Sequence, residues 1–132
     1  MTPDEPLFLD ADDVVDLHAR QLEVFGGSAG LRDRGLLESA VAQPQVSFGG
    51  EFVHSGLYEM AAAYLFHIVR NHPFVDGNKR AGTLAALVFL DVNGLPIDRP
   101  SSDLYDLTIG VAEGRIDKDS VASALERIAN SG

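Results

Sequence analysis

Cysteine and tryptophan are absent from the 132 residues, and cations are scarce: 10 Lys+Arg stand against 20 Asp+Glu, a formal net charge of −10. Without cysteine there is no disulfide framework, no thiolate nucleophile and no cysteine-ligated zinc or iron–sulfur cluster. The shortage of cations argues against a nucleic acid or an anionic membrane as partner, because phosphate surfaces are bound by clustered Lys and Arg. Long apolar runs are also missing. The longest, Met60 to Phe66 and Leu84 to Leu90, fall far short of the roughly 20 residues that a membrane-spanning helix needs. The acidic start has no basic segment leading into an apolar run, so no secretory signal is read. What is present, 45% hydrophobic and 23% charged residues, is the composition of a folded chain. A single domain over residues 1–132 is expected at this length. The expectation is a soluble, cytoplasmic protein whose partner is another protein or a small polar ligand.

Between glycine and proline marks the apolar spacing is helical. Asp10 is placed to cap a first helix whose stripe runs Val14, Leu17, His18, Gln21, Leu22, Phe25, ending at Gly26. A second starts near Asp33, carries Leu36, Leu37, Ala40 and Val41, and stops at Pro44. Val46, Phe48, Phe52 and Val53, broken by Gly49-Gly50, read as a loop or small hairpin over 45–53. A third helix begins near Leu57 and ends at His72, because Pro73 disfavours helical backbone there. The fourth, Asn78 to Val92, is apolar nearly all round, which predicts the central position. Stripes at Leu104, Leu107, Thr108, Val111 and at Val121, Ala124, Leu125, Ile128 supply two more. The expected fold is all-α, about six helices around a buried fourth.

One segment departs from ordinary helix joinery: Arg70-Asn71-His72-Pro73-Phe74-Val75-Asp76-Gly77-Asn78-Lys79-Arg80. It concentrates three cations and a single carboxylate in an otherwise acidic chain. Gly77 lets backbone approach a ligand closely, and the helix that follows offers free N–H groups and a positive dipole end. Lys79 and Arg80 in its first turn oppose that dipole, an arrangement that makes sense when an anion arrives. Asp76 suits Mg²⁺ bridging phosphates. His72 has the unperturbed pKa of a general base at neutral pH. Taken singly these residues read as a turn, a cap and a core plug; the combination points to a phosphate site. Elsewhere, His18 and His67 read as packing or surface residues. His54 lies near the hairpin, and the spacing of His67 and His72 with Pro73 between the helices offers no helical metal pair.

His-Pro-Phe-x-Asp-Gly-Asn-x-Arg resembles the signature of the Fic family. The continuation Asn78-Lys79-Arg80, the early Gly26-Gly27 and Gly30-Leu31-Arg32-Asp33, the Asn93-Gly94-Leu95 turn and the tail Asp106 to Gly114 resemble its Doc (death-on-curing) branch. The resemblance implies a Fic/Doc bundle using ATP and Mg²⁺. In it His72 takes the proton of a target hydroxyl, and Asp76 holds the metal. Gly77, Asn78, Lys79, Arg80 and Arg70 hold phosphate, Phe74 anchors the loop, and the 45–53 hairpin aligns the target segment. Adenylylating members usually have Gly after the motif Asn and a second Arg three residues beyond the first; here those positions are Lys79 and Thr83. Doc shares these departures, so the resemblance implies a toxin kinase that moves the γ-phosphoryl group to a threonine of elongation factor Tu. Pro73 and Gly77 look more like Fic, which keeps adenylyl transfer as the alternative. A catalytically weak antitoxin-binding module is a third reading. The self-inhibitory Ser/Thr-x-x-x-Glu-Gly/Asn motif is not completed at Ser47…Glu51-Phe52 or at Ser55…Glu59-Met60. Restraint by a separate antitoxin with a disordered C-terminal segment is therefore implied.

Overall fold

A computed structural model describes residues 5–98 and 101–131. Six α-helices follow in order among them: α1 (Ala11–Phe25), α2 (Arg34–Ala42), α3 (Leu57–Asn71), α4 (Asn78–Val92), α5 (Ser102–Ala112) and α6 (Lys118–Asn130). The only sheet among the described residues is a hairpin of β1 (Ser47–Phe48) and β2 (Glu51–Phe52) between α2 and α3. No helix among the described residues is long and apolar enough to cross a membrane.

Local chemistry sets most boundaries. Asp10 accepts from Asp13 N while Asp13 reaches back to Asp10 N, a reciprocal cap at α1. Asp33 accepts from Leu36 N, and Asp117 from Ser120 N, at α2 and α6. Glu59 closes the α3 entrance by accepting from Ser55 and Gly56 N–H. Pro44 ends α2 by turning the chain into a single 3-10 turn, Gln43–Gln45. The hairpin pairs Ser47 with Phe52 and Phe48 with Glu51 across Gly49-Gly50. Both glycines sit at positive φ (62° and 85°), which a two-residue turn of this hand requires. Phe52 packs edge-on against Phe8, whereas Phe48 at the tip is 86% exposed.

The centre is α3, which corrects the expectation for α4. α3 packs on α2, α4, α5 and α6, while α4 meets α1, α3 and α5. Every residue from Met60 to Leu65 is buried, but α4 alternates between buried pairs and half-exposed pairs such as Leu87-Val88. An all-round apolar sequence therefore overstates burial, because large side chains flank the contact without being enclosed. The two helices approach closely at Gly82, where a Cβ would lie 2.8 Å from the Val69 side chain and 3.1 Å from Leu65 O. Tyr64, fully buried on α3, accepts from Leu9 N (2.8 Å) and donates to Leu9 O (3.0 Å), pinning the N-terminal segment across the core.

His67 on α3 is a half-buried partner of α6: Lys118 Nζ donates to its Nε2 at 3.1 Å. Burial, then the charge of Lys118 and the neighbouring His54, push its pKa down to about 4. The ring is thus neutral in the folded chain, while the unfolded chain takes up a proton near the ordinary histidine pKa of about 6.5. Stability is then full above that value and falls as pH drops towards 4. Thermal unfolding followed from pH 7 to pH 4 should show this descent, and His67→Phe should flatten it. An equal slope in both proteins would remove His67 as the cause.

Candidate active site

The junction between α3 and α4 is held open by long-range contacts. His72 ends α3 in the left-handed conformation (φ 55°, ψ 53°), the one non-glycine residue at positive φ among those described. Strain of this kind persists where the surroundings fix it, and Arg32 does so. Its Nε and a terminal amine both donate to His72 O (2.9 and 2.6 Å), and the same amine reaches Asn71 O. The backbone N–H groups of Arg32 and Asp33 both donate to Pro73 O, Val75 N donates to Gly30 O, and Leu31 bridges Phe74. The segment 30–33 thus lies against the motif loop like a short strand. This leaves the His72 imidazole exposed on the cleft wall with no hydrogen bond of its own among the described residues.

Phe74 faces inward, 1% exposed, and stacks on His18 of α1 at 3.8 Å between ring centres. His18 Nε2 donates to Asp76 O at 2.7 Å, which places the proton on that nitrogen. Asn78 closes the loop from the other side: its Nδ2 donates to Phe74 O (3.0 Å) and its Oδ1 accepts from Phe74 N (2.9 Å). The side chain of Asn78 is therefore committed to the loop. Gly77 sits at φ 78°, where a Cβ would come within 2.6 Å of Gln21 Nε2 and 3.3 Å of His18 Nε2. Any side chain there would carry the strain of the positive φ and would have to displace the Gln21 amide.

α4 begins without a side-chain cap and without an acid in its first turn, unlike α1, α5 and α6. Lys79 and Arg80 are exposed there and enter no ion pair among the described residues. Arg80 instead lies over the Phe25 ring, 4.6 Å from its centre. Asp76, beside them, accepts from Ser28 N and Gly77 N. Those two N–H groups, with Arg80 and Lys79 behind them, hold its carboxyl below the ordinary carboxylate range. Each Asp76 oxygen keeps a lone pair to offer a cation.

These groups line a cleft of about 860 Å³ whose far wall is α5, through Leu104, Tyr105, Thr108, Ile109 and Ala112. The volume is that of a ligand pocket, with charge on one side and apolar surface on the other. His72, Asp76, Gly77, Asn78, Lys79 and Arg80 all border it; Arg70 does not, donating instead to Val111 O at 3.3 Å. The sequence had suggested neither the grip of Arg32 nor the placing of Gln21, Tyr105 and Thr108 on the cleft. The spacing of Gln21 on the His18 stripe was the one available hint.

The sequence profile of the Fic/DOC family matches residues 8–90, and the chain belongs to that family. It is 42% identical over 120 residues to "Toxin Doc" of Mycolicibacterium smegmatis, covering 89% of this chain and 90% of that one. It is 36% identical over 121 residues to "Protein kinase doc" of Escherichia phage P1, covering 91% and 94%.

Proposed function

We propose that the chain is the toxin of a toxin–antitoxin pair: a protein kinase that transfers the γ-phosphoryl group of ATP to a threonine hydroxyl of a cytoplasmic translation factor resembling elongation factor Tu. The names of the two relatives support the class. The observation that carries the chemistry is the open His72 imidazole on the same cleft as the uncapped start of α4. His72 accepts the hydroxyl proton. The N–H groups of α4's first turn, with Lys79 and Arg80, take phosphate oxygens.

Magnesium fits Asp76. Among the described residues no group of three or more potential ligands could hold a metal, and Mg²⁺ is characteristically held by one or two carboxylates plus substrate phosphates. A bound magnesium nucleotide supplies the transferable phosphoryl group; positioning and proton removal fall to the chain. The apolar α5 wall takes the base or ribose. Restraint comes from an antitoxin segment that folds on binding.

Adenylyl transfer is the second reading, favoured by Pro73 and Gly77. Incubation with elongation factor Tu and Mg-ATP labelled at the α or the γ phosphate decides between them. Label from the γ position alone is expected. Transfer from the α position would establish adenylylation and overturn the kinase.

A further inference from the structure

Gln21 on α1 is 3% exposed and borders the cleft, yet neither Nε2 nor Oε1 of its side-chain amide has a hydrogen-bond partner among the described residues. Buried polar atoms are rarely left so, and an orphan in a site points to a group that arrives. Its polar neighbours are already engaged. His18, one turn earlier, donates to Asp76 O; the Asn78 side chain is bound to Phe74; the Thr83 and Thr108 hydroxyls share their two protons among the contact between them and the Lys79 and Leu104 carbonyls. Gln21 Nε2 also lies against Gly77, close enough that a Cβ there would meet it at 2.6 Å. Gly77 is the residue from which α4 starts.

From this arrangement we infer that Gln21 is a nucleotide-binding residue. Both amide atoms are enclosed in the free chain; a nucleotide seating against the start of α4 uncovers Nε2, which then donates to a phosphate oxygen and completes from α1 the donor set that α4 begins with its N–H groups and cations. The inference rests on the nucleotide reading above and adds to it a contact from outside the motif. In the free chain the amide is a cost to folding, and the bound phosphate removes it. Stability and affinity should therefore respond to substitution with opposite signs, which a purely structural glutamine would not produce.

The test uses the full chain and a non-hydrolysable ATP analogue with Mg²⁺, with affinity read by calorimetry and free-protein stability by thermal unfolding. Gln21→Leu removes both orphan atoms at similar volume. It should leave the unfolding temperature unchanged or higher and weaken binding about tenfold, the scale of one ligand hydrogen bond. Gln21→Glu keeps the shape but sets a carboxylate against the phosphate, and should weaken binding further, on the order of 100-fold. Nucleotide affinities within about twofold of wild type in both variants would overturn the inference, whatever the unfolding temperatures, and leave the nucleotide reading standing. Failure of the wild type to bind the analogue would remove the nucleotide reading itself, and this contact with it.

Discussion

His72→Ala should abolish phosphoryl transfer while leaving the protein folded and able to bind nucleotide. The imidazole is exposed and makes no hydrogen bond among the described residues, so its removal disturbs neither core nor loop, and stability should change by less than about 0.5 kcal/mol. The Asp76 carboxylate and the Arg80 guanidinium stay where Ser28, Gly77 and Phe25 hold them. What disappears is the group proposed to accept the hydroxyl proton, and loss of a general base costs roughly 10²- to 10⁴-fold in rate. Growth arrest on induction should vanish in parallel. His72→Gly sharpens the case. The position has φ 55°, a conformation that costs a non-glycine residue about 1–2 kcal/mol. Glycine should therefore give an equally inactive enzyme that unfolds at a higher temperature. An inactive variant that is less stable than wild type would instead make His72 a structural residue. Full transfer activity in either variant would remove it from the chemistry.

The strained cap also explains what could be read from the chain alone. Short-range signals were reliable because their causes are local. Asp10 and Asp33 cap because a carboxylate reaches an N–H three residues on, Pro44 stops α2 because it cannot donate, and Gly49-Gly50 turn because they tolerate positive φ. The motif loop was legible for the same reason: seven of its residues are nearly contiguous, and six of the seven predicted site residues border one cleft. Arg70 was the exception. Its carbonyl partner Val111 lies 41 positions away, and nothing in the local spacing announces it. Arg32 gripping the His72 carbonyl, His18 holding that of Asp76, and Gln21 beneath Gly77 depend equally on α1 and the segment after it folding over the loop. The position of α3 at the centre is of the same kind. Hydrophobicity along α4 says that it can be buried, but burial is decided by which helices surround it, and the alanines and Gly82 at the α3–α4 contact settle that through fit.

Asn78→Ala should destabilise the fold more than the loss of any other polar side chain of the motif, although the residue reads as a phosphate ligand. Phe74 lies opposite Leu31 in the short antiparallel pairing, with bonds made by the residues on either side, Pro73 and Val75. Its own N–H and C=O therefore point away from segment 30–33, and both are met by the Asn78 side chain. Asn78 is 4% exposed and Phe74 1%, so water cannot replace the lost partner. Each buried backbone group left unpaired costs about 1–3 kcal/mol, and the two together cost about 2–6 kcal/mol on that basis. Asn78→Asp keeps the acceptor for Phe74 N but loses the donor to Phe74 O, so its loss should fall between wild type and alanine. Denaturant unfolding of the three proteins checks the order. A phosphate ligand would behave otherwise: alanine would weaken nucleotide binding and leave the midpoint untouched. If alanine unfolds with the wild-type midpoint, the asparagine is not the staple of the loop. If it unfolds early, the side chain that a motif comparison assigns to the substrate serves first to hold the catalytic loop in shape, and the phosphate contact at this position belongs to its backbone N–H.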